Sequence, residues 1–189
     1  ADHDAIAAGI EAVLAAGRPI EFGRLRYTVT GGMGPLGSDR SDAPATYIVL
    51  AAEQPHPPAS AGVALVPWTR NERSAVAGLK TTSYAENVVA LRRAQELGAI
   101  EALVTNTAGL LCEGTGSNVF LIEGERVVTP DLASGCLAGI TRELVIEWGR
   151  EAGFDVVEEP IEVDRLLSAD EVFITSKFNK EDHSVEGVQ

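Results

Sequence analysis

The chain has 189 residues, of which 45% are hydrophobic, and 15 Lys and Arg against 28 Asp and Glu give a formal charge of −13. This composition indicates a folded protein of one large domain or two small ones, and the negative charge argues against nucleic-acid binding. No stretch is long and apolar enough to span a membrane, so we expect a cytoplasmic protein with neither membrane nor nucleic-acid partners.

The first fifty residues predict a helix followed by two strands. The helix is predicted over residues 4–16, with Asp4 as a candidate N-cap and an apolar stripe formed by Ile6, Ile10, Val13 and Leu14. Residues 24–30 alternate in polarity and residues 46–51 form an apolar run, and both patterns are typical of strands.

Glycines in the loop between these strands match a nucleotide-binding pattern. Gly32-Met33-Gly34-Pro35-Leu36-Gly37 has the glycine spacing of a dinucleotide fingerprint. Such a fingerprint must open a helix that receives the pyrophosphate, and no helical pattern follows here. We therefore predict a plain loop.

A proline-rich segment divides the chain. Residues 54–62 have linker composition, which predicts a partial small α+β domain over 1–53 and a larger domain over 63–189. In the larger domain we predict two helices, over 84–97 and 141–152, and seven short strands, over 63–66, 101–105, 110–112, 118–122, 126–128, 156–159 and 171–175. The fold class is mixed α/β, without the regular strand–helix alternation of a doubly wound sheet.

Few residues are available for catalysis. The histidines, His3, His56 and His183, stand outside rigid elements, and two cysteines are too few for a metal site without them. Ser/His/Asp, Cys/His and metal sites are therefore disfavoured. Lys80 is conspicuous, because the other two lysines, Lys177 and Lys180, lie in the tail.

Three segments remain as candidate sites, each with an ordinary alternative. Lys80 is either a solvated lysine or an amine that forms a Schiff base with a carbonyl. Glu113 ends an apolar strand before a Gly-x-Gly turn. Its carboxylate is either solvated or pairs with a protonated ring nitrogen. Residues 134–143 open a helix whose free amides suit a phosphate, although many helices begin this way.

Taken together, these segments resemble the class IV pyridoxal-phosphate aminotransferases, which have fold type IV. That family includes branched-chain and D-amino-acid aminotransferases and aminodeoxychorismate lyase. The resemblance rests on Leu79-Lys80-Thr81-Thr82-Ser83-Tyr84, Glu113-Gly114-Thr115-Gly116-Ser117-Asn118-Val119-Phe120 and Leu137-Ala138-Gly139-Ile140-Thr141-Arg142. It implies a small α+β domain, partial here, a larger β-rich pseudo-barrel domain, and pyridoxal 5′-phosphate as cofactor.

The resemblance implies roles for individual residues. Lys80 would bind the cofactor covalently and move the substrate proton, and Glu113 would pair with the pyridine nitrogen. Tyr84 would lie near the ring hydroxyl, and Leu137 would pack on a ring face.

The remaining implied roles concern the phosphate and the surroundings of the ring. Gly139, Ile140 and Thr141 would bind the phosphate, and Ser117 and Asn118 would line the turn behind the cofactor. Ser176 could also reach the phosphate, and Arg73 could be a partner of Glu113 that does not itself touch the cofactor.

The chain also departs from the family pattern. The family has a further segment before the position of Ala1, with an arginine that binds the phosphate, so we expect a fragment that retains the cofactor weakly. Lys177 stands where a small hydroxyl residue is usual, and the residues after it match nothing recognisable.

The function implied is transamination between an amino acid and a 2-oxo acid, of the branched-chain or D-amino-acid type, by a homodimer. Two alternatives remain open: aminodeoxychorismate lyase activity, which uses the same lysine, and a non-catalytic homologue. The sequence does not decide the substrate or its D or L configuration.

Overall fold

The computed structural model describes residues 2–39, 41–56, 58 and 60–175, together with the backbone of residues 183–188. It divides into two compact units, residues 1–57 and 58–189. The boundary falls within the segment of linker composition, 54–62, although the last three residues of that segment already belong to a strand. None of the helices in the described part is long and apolar enough to cross a membrane.

The first unit consists of one helix and a pair of strands. The helix is α1 (His3–Ala16), and the antiparallel strands are β1 (Gly23–Thr30) and β2 (Thr46–Glu53). These elements confirm the prediction, but the N-cap is Asp2 rather than Asp4. The Asp2 carboxylate accepts hydrogen bonds from the amides of Asp4 and Ala5, as a residue preceding the first helical turn can.

The loop between β1 and β2 contains no helix in its described residues, 31–39 and 41–45. Residues 32–37 are therefore a plain loop, as predicted, because no helix N-terminus follows the glycines to receive a pyrophosphate.

The second unit is built on a mixed sheet of eight strands. They are β3 (Ser60–Arg70), β4 (Glu101–Asn106), β5 (Leu111–Gly114), β6 (Asn118–Glu123), β7 (Arg126–Pro130), β8 (Asp155–Glu159), β9 (Glu171–Thr175) and β10 (His183–Val188). Their order in the sheet is β5-β4-β3-β10-β9-β6-β7-β8. The pairs β3/β4, β3/β10 and β7/β8 are parallel, and the other neighbours are antiparallel.

The helices of this unit are α2 (Ala85–Glu96), α3 (Ile140–Glu151) and α4 (Val163–Ser168), with a 3₁₀ turn at Leu132–Ser134. The predicted helices and strands are confirmed to within two residues, except for β3. The short α4 and β10 were not predicted, since α4 has too few residues to show a helical period and β10 lies in the tail that matched nothing.

Strand β3 is longer than the predicted 63–66, because pairing with β10 includes its first residues from Ser60 and pairing with β4 continues it to Arg70. It contains Pro67, which usually weakens a strand assignment. The register with β4 shifts between Leu65 and Thr69, so Pro67 lies where the regular hydrogen-bond ladder is interrupted. The extension matters because it brings Arg70 to the candidate site.

The core of the second unit lies inside a curled sheet. One cluster of buried side chains combines residues from β3, β4, β5, β6, β7 and β9, among them Val63, Leu103, Leu111, Val119, Val128 and Ile174. Strand β5 is at one end of the sheet, yet it shares this core with β6 and β7 near the other end. The sheet therefore curls around its core, in agreement with the β-rich pseudo-barrel that the resemblance implies.

Two helices cover the outer face of the sheet. Ala90 and Ala94 of α2 pack in a cluster with Val66 and Val104, and Ile146 of α3 packs with Phe120. The small side chains of α2 allow it to lie close to the sheet. Both helices begin near the ends of strands, and these helix beginnings supply part of the candidate site.

Candidate active site

Lys80 lies in the segment between β3 and α2 and is exposed to solvent. Its Nζ donates a hydrogen bond of 3.1 Å to the hydroxyl of Tyr84 and lies 5.6 Å from the centre of the Tyr84 ring. Tyr84 is the residue immediately before α2, so the beginning of the helix fixes the position of the phenol. The structure thus brings together two of the predicted cofactor-binding residues.

Glu113 lies in β5 and is only 8% exposed. Its Oε2 accepts a hydrogen bond of 2.8 Å from the amide of Leu137, and its Oε1 lies 3.3 Å from Nε of Arg70. A buried carboxylate needs such partners because burial removes its hydration. Both oxygens of Glu113 are therefore held in place by the surrounding chain.

The electrostatic environment of Glu113 is unusual for a carboxylate. Burial raises its pKa above the ordinary value, against the opposing effects of the Leu137 amide and of the positive charges of Arg70 and Lys80. A cationic group placed beside this carboxylate would stabilise its charged form and would itself remain protonated. This environment suits the predicted partner of a protonated ring nitrogen.

The arginine at Glu113 is Arg70 and not Arg73, which the resemblance suggested. Arg70 ends β3 beside the buried carboxylate, and its Nη1 also donates a hydrogen bond of 3.0 Å to Asn87. Its Nε has no aligned acceptor among the described residues, so its contact with Glu113 is an ion pair without an aligned hydrogen bond. Arg73 lies beyond the strand, its side chain is 89% exposed, and its acidic neighbour is Glu72 at 4.0 Å. A prediction in which β3 continues to residue 70 would have placed Arg70 at the end of that strand.

The tight turn between β5 and β6 is held by Glu101, a residue that the sequence did not single out. Its Oε1 accepts hydrogen bonds from the amide of Thr115 at 3.1 Å and from the Thr115 hydroxyl. Its Oε2 accepts from the amide of Gly116 at 3.3 Å and from the hydroxyl of Ser117 at 3.1 Å. The Ser117 hydroxyl thus faces Glu101, which makes Ser117 part of the framework of the turn.

Asn118 and Glu113, on either side of that turn, both bind the main chain of Leu137. The Asn118 side-chain amide donates a hydrogen bond of 2.9 Å to the carbonyl of Leu137, while Glu113 accepts from the Leu137 amide. Gly139 lies so close that a Cβ there would be 2.2 Å from Oδ1 of Asn118. The loop before α3 is therefore fixed against two strands.

The beginning of α3 makes no side-chain capping hydrogen bond among the described residues. Gly139 is the N-cap, and it has no side chain that could accept hydrogen bonds from the first helical amides. Ile140 is 76% exposed and Thr141 is partly exposed, so the helix begins at the surface of the unit. Amides of a first helical turn and the positive end of the helix dipole together favour an anion such as phosphate.

The segment that carries Lys80 meets the loop before α3 at Glu72. Gly135 has φ of +91°, and a Cβ there would lie 2.9 Å from the Cα of Glu72, so a glycine allows both the conformation and the close approach. The Glu72 carboxylate also accepts hydrogen bonds from the amide and hydroxyl of Thr107. Glu72 therefore joins three loops, and no local sequence pattern indicated this.

The predicted phosphate contact of Ser176 lies outside the described residues, as does Lys177. The residue before them, Thr175, pairs with Asn118 across β9 and β6. Its buried hydroxyl has no hydrogen-bond partner in the described part of the chain. The end of β9 is therefore close to the residues that fix the Leu137 loop.

Comparisons with known proteins show the family and the fold of the chain. The profile described as Amino-transferase class IV matches residues 1–178. A Methanocaldococcus jannaschii protein, inferred to be a branched-chain-amino-acid aminotransferase, is 35% identical over 155 residues, covering 80% of this chain and 54% of that protein. The D-alanine aminotransferase of Bacillus licheniformis is 39% identical over 98 residues, covering 52% of this chain and 34% of that enzyme.

A solved structure shows the same fold. The crystal structure of a Legionella pneumophila protein, inferred to be a 4-amino-4-deoxychorismate lyase, matches with a TM-score of 0.83 at 27% identity, covering 88% of this chain and 62% of that one. The chain spans about half the length of its Methanocaldococcus jannaschii relative. With most of its residues matched by the family profile and the fold shared, the chain belongs to the class IV amino-transferase family.

Proposed function

We propose that the protein binds pyridoxal 5′-phosphate and transfers an amino group between an amino acid and a 2-oxo acid, of the branched-chain or D-amino-acid type. The observation that carries the proposal is Glu113, a buried carboxylate fixed at both oxygens and close enough to Lys80 for the lysine charge to lower its pKa. Membership of the family supports the same activity.

The described residues fit the three polar groups of this cofactor. Lys80 presents an accessible amine for its aldehyde, and Glu113 presents a buried carboxylate for its pyridine nitrogen. The first amides of α3, at Ile140 and Thr141, suit its phosphate, and Gly139 as N-cap places no side chain over them. These residues would hold the cofactor.

Pyridoxal phosphate supplies an electron-withdrawing ring that stabilises negative charge at the carbon from which a proton is removed. Lys80 provides the amine that binds the cofactor and then carries that proton on Nζ. The Tyr84 hydroxyl accepts a hydrogen bond from this amine, so it orients the Nζ lone pair and protons.

Glu113 holds a proton on the ring nitrogen by charge and hydrogen bonding. Its geometry is set before any ligand arrives, because the Leu137 amide and Arg70 already fix both oxygens. Preorganised charge of this kind is effective because no rearrangement is needed during the reaction. Glu113 would therefore keep its charge beside the ring nitrogen while Lys80 moves the substrate proton.

A lyase is the second candidate, because the matching Legionella pneumophila structure is inferred to be a 4-amino-4-deoxychorismate lyase. That activity would use the same Lys80 and Glu113, but the reaction would release pyruvate from the substrate instead of exchanging an amino group. The two activities differ in the requirement for a 2-oxo acid acceptor.

The test is to supply the protein with pyridoxal phosphate and a panel of L- and D-amino acids, each with a 2-oxo acid acceptor, and to measure the new amino acid and 2-oxo acid. Formation of both products, absent with Lys80→Ala, is the expected result. Release of pyruvate from aminodeoxychorismate without an acceptor would instead identify a lyase. Cofactor binding without either reaction would identify a non-catalytic homologue and contradict the proposal.

We also propose that the intact protein is a cytoplasmic homodimer, as the family resemblance implies. Sedimentation at micromolar concentration measures the oligomeric state directly, and a monomer under those conditions would contradict this part of the proposal.

A further inference from the structure

We propose that Glu101 is a positioning residue for the cofactor site. By holding the turn between β5 and β6, it sets the positions of Glu113 and Asn118, and through them the position of Leu137. The link to the cofactor rests on the function proposed above, whereas the link to Leu137 depends on the geometry of the protein alone.

The Glu101 carboxylate accepts an unusually large number of hydrogen bonds. Glu101 is the first residue of β4, and its Oε1 also accepts a hydrogen bond of 2.9 Å from the amide of Ala102. With the amides of Thr115 and Gly116 and the hydroxyls of Thr115 and Ser117, five donors point at one side chain. Hydrogen bonds to a charged acceptor are stronger than those between neutral groups.

The topology explains why this turn needs such an anchor. In an ordinary hairpin, the ladder between the two adjacent strands fixes the turn that joins them. Here β5 and β6 are not neighbours in the sheet, since β5 pairs with β4 whereas β6 lies between β9 and β7. Besides Glu101, the turn has main-chain hydrogen bonds from the Gly114 amide to the Ser117 carbonyl and from the Thr115 amide to the Ala102 carbonyl. The side-chain amide of Asn87 also donates a hydrogen bond of 2.6 Å to the Thr115 carbonyl. Because no ladder joins β5 to β6, side-chain hydrogen bonds hold the turn itself, and Glu101 supplies most of them.

The position of the turn is transmitted to both residues that bind Leu137. Glu113 stands two residues before Thr115, and Asn118 directly follows Ser117. One accepts from the Leu137 amide and the other donates to the Leu137 carbonyl. A displaced turn would therefore loosen Leu137 from both sides and move the loop that leads to the first amides of α3.

A purely structural role would have a different consequence. If Glu101 only joined β4 to the turn, its substitution would lower the free energy of unfolding without changing local protection at Leu137 or the affinity for the cofactor. Glu123→Gln is the matched control for such a role, because Glu123 lies at the far end of β6 and binds Arg165 through both oxygens.

The experiment compares Glu101→Gln with wild type and with Glu123→Gln. Glutamine keeps one acceptor oxygen but places an NH₂ group where Oε2 accepts from Gly116 and Ser117. The Gly116 amide would then face a donor, and the Ser117 hydroxyl would have to rotate to become an acceptor. In the cofactor-free protein, amide hydrogen exchange at Leu137 should become about tenfold faster, and the Kd for pyridoxal phosphate should rise about tenfold. Glu123→Gln should change neither quantity.

The outcomes separate this inference from the proposed function. The inference would be overturned if amide exchange at Leu137 in Glu101→Gln stays within about twofold of the wild-type rate. A twofold change corresponds to a smaller free energy than the loss of one buried hydrogen bond. If the wild-type protein does not bind pyridoxal phosphate, the proposed function fails and exchange at Leu137 alone decides the inference. If Glu101→Gln does not fold, Ser117→Ala removes one donor from Oε2 and should accelerate the same exchange, and an unchanged rate would overturn the inference.

Discussion

The carboxylate and the lysine of the candidate site are held in opposite ways. Glu113 is buried within β5, and both of its oxygens are fixed, one by the Leu137 amide and the other by Arg70. Lys80 lies in a loop, is exposed, and donates a hydrogen bond to Tyr84. The Glu113 carboxylate is therefore held within the sheet, whereas the Lys80 amine lies at the end of a long side chain on a loop.

This difference corresponds to what each group has to do in the proposed reaction. A carboxylate that holds a ring nitrogen acts through its fixed charge, and a rigid position is an advantage. An amine that binds the cofactor and then carries a proton must change its position and its bonding during turnover. The comparison therefore predicts that substitutions at Lys80 affect chemistry most, and that substitutions around Glu113 affect both chemistry and binding.

The largest effect is expected at Lys80. Lys80→Arg keeps the positive charge but removes the nucleophilic amine, so transamination should fall by at least about 10²-fold and the visible absorption of the bound cofactor should change. Arg92→Ala, at an exposed position on α2, is the control and should leave both unchanged. Activity of Lys80→Arg within about tenfold of wild type would remove Lys80 from the mechanism.

The next effect is expected for Glu113→Gln. The glutamine oxygen can still accept from the Leu137 amide, but the negative charge that serves the ring nitrogen and Arg70 is lost. We expect turnover to fall by about 10- to 100-fold, which corresponds to a charge-assisted hydrogen bond of about 1.5–3 kcal/mol, with part of the cofactor affinity retained. Glu86→Gln is a matched control, since Glu86 is an exposed carboxylate 4.0 Å from Arg70. Equal turnover in the two variants would contradict the role of Glu113.

A smaller effect is expected for Gly139→Ala. The new methyl group would collide with Oδ1 of Asn118, so Asn118 would have to give up its hydrogen bond to the Leu137 carbonyl. We expect the Kd for pyridoxal phosphate, measured by titration, to rise by about tenfold, in keeping with a penalty of about 1–3 kcal/mol for overpacking. Gly31→Ala provides the control, because apart from its own chain neighbours no described residue has an atom within 4 Å of a Cβ there. The same Kd in both variants would show that cofactor binding does not need the close contact between Gly139 and Asn118.

The smallest effect concerns the pH dependence of stability. The pKa of Glu113 is raised by burial, so the folded protein binds this proton more tightly than the unfolded chain does. Its contribution to stability is therefore fully present below the ordinary glutamate pKa and is lost as the pH rises through the folded-state pKa. Urea unfolding of the cofactor-free protein should show wild type losing stability relative to Glu113→Gln across that range. A difference that does not change with pH would contradict the raised pKa.

Features with a local pattern could be predicted from the sequence. The strands around Glu113, the helix after Tyr84 and the beginning of α3 each have a periodic or capping signal within about ten residues. The quoted segments around Lys80, Glu113 and Gly139 also carry the family resemblance. Glu113 connects these segments: its carboxylate accepts a hydrogen bond from the Leu137 amide, and the charge of Lys80 lowers its pKa.

Features that depend on contacts distant in the sequence could not be predicted. Glu101 binds residues 14 to 16 positions later, and Glu72 binds Thr107 35 positions later. Arg70 meets Glu113 because β4 pairs with β3 on one side and with β5 on the other. Nothing in the neighbouring residues of these side chains indicates a partner. The family resemblance suggested Arg73, and the local pattern does not show that β3 continues to Arg70.

The account depends most directly on Lys80 as the residue that binds the cofactor. The measurement is to incubate the protein with pyridoxal phosphate, reduce it with borohydride, and locate the pyridoxyl group by peptide mapping. We predict that the label lies on Lys80. A label on Lys177 or Lys180, or no label on a protein that binds the cofactor, would contradict the account.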